Sequence, residues 1–297
     1  MSRTDIATSP VIFELVRKQS STFLQAFHAD PRLASVFATR QRWLLAHAAL
    51  GLYFRDGRPG ERSITLSRYL EEVARYRIAS RNTADAFIKW MLHYGYVETI
   101  PDPADRRARP MTVRPQTLSM VHDWAVAHLT TLDQMDGGGR LPVFLADQDA
   151  FPRLEIEIAH GVLTNHEIRK PKDTFSLFTW LNNGGLIMDW LITNLDALSP
   201  DGSQYSTRIS SLTEISGWIN LSRSHLGRKL REAEAMGSMG WTRTEGGATL
   251  WVSVDFMHDM VDAQAVKLAV IDAAFERSFS YRGAGRQRRS EPTVSPQ

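Results

Sequence analysis

Residues 70–95 read LEEVARYRIASRNTADAFIKWMLHYG, and residues 212–237 read LTEISGWINLSRSHLGRKLREAEAMG. The two stretches superimpose without a gap at an offset of 142 residues: Leu70 falls on Leu212, Val73 on Ile215, Ser80-Arg81 on Ser222-Arg223, Ile88 on Leu230 and Gly95 on Gly237. One local solution is used twice. In the second stretch Leu212, Ile215 and Ile219 space the apolar face of a short helix. Asn220 suits a turn, Leu221 fills the angle between helices, and Ser222 is an N-cap for the next helix. That helix buries Leu226, Leu230 and Ala233 and stops at Gly237, which accepts the left-handed conformation. The first stretch repeats the pattern with Leu70, Val73 and Ala74, a turn over residues 77–79, Ser80 as cap, then Ala84, Phe87, Ile88 and Met91 before Gly95.

A candidate β-hairpin follows each terminal glycine. Residues 96–100 and 111–113 flank a polar, turn-rich loop; residues 241–244 and 249–254 flank Glu245-Gly246-Gly247 more tightly. Apolar helices precede both units, RWLLAHAALGLYF at 42–54 and LIMDWLITNL at 186–195. Longer amphipathic helices follow both hairpins: Leu118, Val121, Ala125 and Leu129 space the first, Met257, Val261, Ala265, Leu268, Ile271 and Phe275 the second. Helix, helix, hairpin is the winged helix-turn-helix order. The expected fold is mainly α with small β-hairpin wings: two tandem winged helix-turn-helix domains arranged as a pseudo-dimer, the long helices packing together. The expected division is an N-terminal domain over 1–135, a glycine-containing linker over 136–147, a C-terminal domain over 148–281 and a basic disordered tail over 282–297.

The formal net charge of +2 conceals segregation. Of 35 basic residues, 29 are arginine. Residues 68–114 carry nine basic and six acidic side chains, residues 115–211 six basic and twelve acidic. Phosphate binding depends on local rather than net potential, so this balance is compatible with a nucleic-acid partner. The absence of cysteine excludes disulfides, thiolate metal sites and a cysteine nucleophile. No stretch approaches the roughly 18 uninterrupted apolar residues of a membrane span, and no targeting segment is visible. A cytoplasmic, nucleoid-associated protein without a membrane partner is expected.

The run SRNTADAFIKWMLHYGYVE with the following IPDPADRRARPMTV resembles the winged-helix domain of MarR-family transcriptional regulators, over roughly residues 42–132. The sequence departs from that family's pattern at Val113-Arg114-Pro115. The resemblance implies that Asp105 braces Arg106 or Arg107 in a wing that reaches DNA. It also implies a small-molecule effector held between the DNA unit and the association helices. Members of the family usually carry one such domain and dimerise, so the tandem order is similar to a fused dimer; a homodimer of the whole chain stays open. The order also resembles tandem winged-helix plasmid replication initiators.

A recognition helix enters the major groove with its N-terminal residues at the base edges. Arg81, Asn82 and Thr83 hold that place in the first unit, and Arg223, Ser224 and His225 in the second. Arginine bonds guanine bidentately and asparagine adenine. Arg228 lies one turn further on, and Ser80 and Ser222 serve first as caps. Arg106, Arg107 and Arg109 in the first wing, Arg243 in the second, and Arg75 and Arg77 before the first recognition helix are candidate phosphate contacts. His225 adds a pH handle near neutrality. The expected function is a sequence-specific double-stranded DNA-binding transcriptional regulator reading two adjacent, non-identical half-sites. The alternatives are a replication initiator and a protein–protein adaptor built on winged helices. Trp43, Trp90, Trp124 and Met257 sit at helical spacing and read as core. His160 and His166 lack a third ligand at metal spacing. Glu155 and Glu157 alternate along a short segment with no nucleophile or phosphate loop nearby, so no enzyme, cofactor or metal is expected.

Overall fold

The computed structural model describes residues 1–31, 39–57, 62–101, 109–172, 178, 184–219, 222–244 and 247–279. It is mainly helical, with small antiparallel sheets. Helices α1 (Arg3–Ala7) and α2 (Ile12–Ala29) precede α3 (Arg40–Asp56). Every residue of α3 from Leu44 to Phe54 is buried, so this helix runs through the interior rather than over it. Helix α4 (Leu66–Arg75) starts where the Thr65 hydroxyl accepts from the Arg68 amide. It ends with Arg77 at φ 52°, a left-handed turn closed by Ile78 N–H to Val73 O and Arg77 N–H to Ala74 O. Helix α5 (Arg81–His93) follows, capped by the Ser80 hydroxyl on the Thr83 amide. Gly95, at φ 70°, closes it with the same pair of bonds, Tyr96 N–H to Met91 O and Gly95 N–H to Leu92 O.

Strands β1 (Val97–Thr99) and β2 (Met111–Val113) then form the hairpin, with Val97 opposite Val113 and Thr99 opposite Met111. Ile64, between α3 and α4 in chain order, makes an isolated bridge to Met111 on the other side. Pro115 opens the long helix α6 (Pro115–Asp136), where its missing N–H costs nothing.

The order then recurs. Helices α7 (Arg140–Leu145) and α8 (Ala150–Thr164) are followed by the single turn α9 (His166–Arg169) and by α10 (Gly184–Thr193). Strands β3 (Leu195–Leu198) and β4 (Gln204–Thr207) lead into α11 (Leu212–Ile219) and α12 (Arg223–Ala235). Strands β5 (Met239–Thr244) and β6 (Gly247–Ser253) form the second hairpin, and α13 (Val254–Phe279) follows. Gly237, at φ 68°, ends α12 as Gly95 ends α5, through Ser238 N–H to Ala233 O and Gly237 N–H to Glu234 O. The second sheet has order β3-β4-β6-β5; β4 takes the place of the Ile64 bridge and β3 is an addition. Both hairpins and both long helices lie where the sequence pattern puts them. The sequence pattern does not mark helices α2 and α8, and the short segment that carries Glu155 and Glu157 is part of α8.

The halves are interleaved. Helix α8, from the second half of the chain, packs on α3; helix α2, from the first, packs on α10. The small helices cross too, α1 onto α13 and α7 onto α6. The long helices α6 and α13 also touch. Gly51 on α3 permits the close approach of α8, since a Cβ there would lie 2.7 Å from that of Ala159 on α8. The glycines after α6 are a tight corner: Gly137 and Gly139 are left-handed, and the next residue, Arg140, is buried. Its guanidinium donates to Asp136 at 2.7 Å and to Asp272 on α13 at 2.6 Å. Asp272 also receives the N-terminal ammonium of Met1.

Candidate nucleic-acid interface

Two exposed helix starts stand at equivalent positions. On α5 the Ser80 cap fixes the first turn, and Arg81, Asn82 and Thr83 are exposed there. The apolar side of the same helix, Ala84, Phe87, Ile88 and Met91, is buried. That burial fixes the rotation of α5 about its axis and so turns the polar residues outward. On α12, Leu226, Leu230 and Ala233 do the same work, and Arg223, Ser224, His225 and Arg228 are exposed. Ser222 occupies the N-cap position of α12 but its side chain makes no capping bond, unlike Ser80. Asn220 and Leu221, assigned to the second turn, lie outside the described residues. Arg231 is exposed two turns beyond Arg223; its spacing continues the polar face rather than marking a helix start, so the sequence pattern does not single it out.

The arginines differ in how firmly they are held. Among the described residues no ion pair ties down Arg81, Arg109, Arg223 or Arg228. By contrast, Arg55 donates to Glu72 at 3.0 Å and Arg68 pairs with Asp56 at 2.8 Å, a braced surface behind α4. Arg75 reaches this network only loosely, 3.7 Å from Glu72, with its guanidinium over the Tyr76 ring. Its side chain remains 66% exposed. The peptide of Arg77 forms the left-handed turn, and its carbonyl accepts from Arg169 at 3.1 Å, so this residue shapes the approach to α5 whatever its side chain does. Arg243 is exposed on β5. Arg106 and Arg107, with Asp105, lie outside the described residues. In the hairpin that is described, the ion pair is Arg114 with Glu98 at 2.9 Å.

The remaining candidates resolve as follows. Trp90 is half-buried under the Arg42 guanidinium, and Met257 is core. Trp43 and Trp124 are half-buried with ring centroids 6.3 Å apart, and they wall a large cavity. Glu155 is buried against His47. Glu157 faces outward to Arg277. Among the described residues there is no cluster of His, Asp and Glu that could hold a metal ion, and no helix long and apolar enough to cross a membrane. Compared with models of known protein families and with curated proteins, the chain matches none.

Proposed function

We propose that the chain is a sequence-specific double-stranded DNA-binding transcriptional regulator, with two winged helix-turn-helix units fused into an interleaved pseudo-dimer. The observation that carries this reading is the pair of helix starts. At positions 142 residues apart, a helix whose apolar side is buried presents Ser-Arg followed by two further polar residues to solvent, before a hairpin that bears exposed arginine. A solvated face needs no such match between two otherwise divergent stretches. Base readout by the first turn of a buried-backed helix does need it. The crossed packing supports the fusion, because it joins the two units through helices rather than through a tether.

The exposed residues of the two helix starts differ, Arg81-Asn82-Thr83 against Arg223-Ser224-His225, so one chain reads two unlike half-sites. Selection from random duplexes, followed by titration across a salt series, tests this. Binding to the selected site should steepen by about −0.9 in log–log slope for each phosphate neutralised. Arg81→Ala and Arg223→Ala should each cost roughly 1–3 kcal/mol and relax a different position of the motif. Arg109→Ala should weaken all sequences alike. Equal affinity for selected and scrambled DNA at every salt concentration removes the regulator reading.

A further inference from the structure

Helix α9 belongs to the second half of the chain but ends on the first unit. Its backbone is pinned: Asn165 Oδ1 accepts from the Ile168 amide at 2.9 Å, and Ile168 O accepts from the Arg40 guanidinium at 3.4 Å. The Ile168 side chain packs against the core. Arg169 is thereby given a fixed place, and its Nη2 donates to Arg77 O at 3.1 Å. Among the described residues Arg77 is the one non-glycine with positive φ, and it precedes the Ser80 cap of α5. Arg169 therefore stands beside the turn between α4 and α5, although 92 residues separate it from Arg77 in sequence.

The cations at this turn make almost no ion pairs. Of Arg75, Arg77, Arg81, Arg169 and Lys170, only Arg75 reaches a carboxylate among the described residues, and it stands 3.7 Å from Glu72. Glu167, the acid nearest to Arg169 along the chain, is taken by Arg3. Elsewhere on the first unit arginine does find carboxylate, Arg55 with Glu72, Arg68 with Asp56 and Arg114 with Glu98. Cations gathered without carboxylates repel one another, a cost that a polyanion removes.

We propose that the DNA interface of the first unit is composite: Arg169 and Lys170, carried by the second half of the chain, hold backbone phosphates of duplex DNA beside the turn between α4 and α5, together with Arg77. This inference rests on the DNA reading above and extends it. In a helix-turn-helix the first helix crosses the sugar–phosphate backbone while the second enters the groove, so the turn that joins them lies against phosphates at the edge of the half-site. Arg169 directs one Nη at the Arg77 peptide, which leaves the rest of its planar fork for a phosphate. The same bond steadies the left-handed turn that leads into α5. Phosphate contacts set register rather than sequence, so Arg169 anchors the first helix start and leaves base choice to Arg81 and Asn82. The position 142 residues after Arg77 is Ile219, so the two half-sites are gripped unequally.

The test uses the full chain and two duplexes of equal length, the selected site and a scrambled one, in a salt series read by fluorescence anisotropy. Arg169→Gln keeps a donor for Arg77 O and removes the charge. It should flatten the log–log slope by about 0.9, so that its deficit against the parent grows about eightfold for each tenfold fall in salt, on both duplexes alike. Lys170→Gln should do the same, and Arg169→Lys should keep the parent slope. Neutral methylphosphonates placed singly along the selected site then locate the contact: one position outside the base read by Arg81 should weaken the parent and leave Arg169→Gln unaffected. The proposal is overturned if Arg169→Gln keeps the parent slope, which is the outcome of a role confined to holding the turn. It is also overturned if that variant changes the selected motif, or if its insensitive phosphate flanks the base read by Arg223. A parent chain that discriminates the duplexes while Arg169→Gln matches it sinks the composite interface alone. A parent that treats both duplexes equally sinks the regulator reading, and the variant slopes still decide whether these side chains hold phosphate. Lys170 is exposed and makes no ion pair among the described residues, so Lys170→Gln decides the matter if Arg169→Gln fails to fold.

Discussion

The two helix crossings start from equivalent positions and end differently. Where α8 crosses α3, His47 Nδ1 and Glu155 Oε1 meet at 2.6 Å, both side chains at most 1% exposed. Where α2 crosses α10, Ser20 and Asp189 meet at the same distance beside the cavity. His47 and Asp189 are 142 residues apart, and Ser20 and Glu155 are 135 apart. One crossing is sealed around a polar pair and backed by the Trp43 and Trp124 rings, 4.8 Å and 5.4 Å from the His47 ring. The other keeps its carboxylate at the edge of the cavity, within electrostatic range of Lys267. The two crossings share their place in the fold and differ in the polar pair inside them. The sealed copy closes on its polar pair, and the open one borders the cavity.

The largest expected effect tests whether the sealed crossing is the costlier one to break. His47 Nε2 and Glu155 Oε2 have no partner among the described residues, so each side chain depends on the other. Glu155→Leu strands His47 in the interior and should cost about 3–5 kcal/mol in urea unfolding. Ser20→Ala removes one hydrogen bond to a carboxylate and should cost about 1.5–3 kcal/mol. His47→Leu combined with Glu155→Met should recover most of the first loss, because no polar atom is then left behind. If Glu155→Leu costs no more than Ser20→Ala, the distinction between a sealed and an open crossing is wrong.

Much of this frame was legible in residues 70–95 and 212–237, because helical periodicity is local: apolar spacing, a serine cap and a terminal glycine suffice. The crossings were not. A gapless comparison at 142 misaligns α2 with α8, since the chain between α8 and α10 is longer than that between α2 and α3 and the offset slips to 135. Glu155 looked like one of two alternating carboxylates; only the helix shows it turned inward and Glu157 outward. Lys267 was hidden in a run of apolar residues from Ala265 to Val270, where a single lysine reads as an interruption of the stripe. The exposed helix starts were readable because capping and burial fix their direction. Which arginines are held by acids was not, since Arg55 reaches Glu72 and Arg68 reaches Asp56 through tertiary contact.

A smaller effect sharpens the comparison at the backbone. At the sealed crossing, a side chain at Gly51 would meet the Ala159 Cβ at 2.7 Å. At the equivalent position of the open crossing stands Thr193, whose hydroxyl donates within its own helix to Asp189 O at 3.0 Å. Gly51→Val should therefore cost about 1–3 kcal/mol through overpacking. Thr193→Ala should cost under about 1 kcal/mol. Both are read as shifts of the unfolding midpoint at constant slope.

The last effect is one of pH, and it isolates the open crossing. Burial pushes the Asp189 carboxyl up to about 6, against the lowering effect of the Ser20 hydroxyl and Lys267. A carboxyl raised on folding contributes stability that is intact below the ordinary carboxylate range and lost as pH rises through about 6. Lys267 is held down to about 8, so its contribution is intact above the ordinary lysine range and lost as pH falls through about 8. Both contributions are missing together between about 6 and 8, where both groups are charged in the interior. Stability should pass through a shallow minimum in that window. Asp189→Asn should remove the fall on the acid side, and Lys267→Met the rise on the alkaline side. The double variant should be flat across the window, and Lys267→Met alone should raise the melting temperature at pH 7, where an apolar side chain replaces a buried ammonium. Thermal unfolding at unit pH steps reads all four curves. A minimum that persists in the double variant would place its origin outside the open crossing.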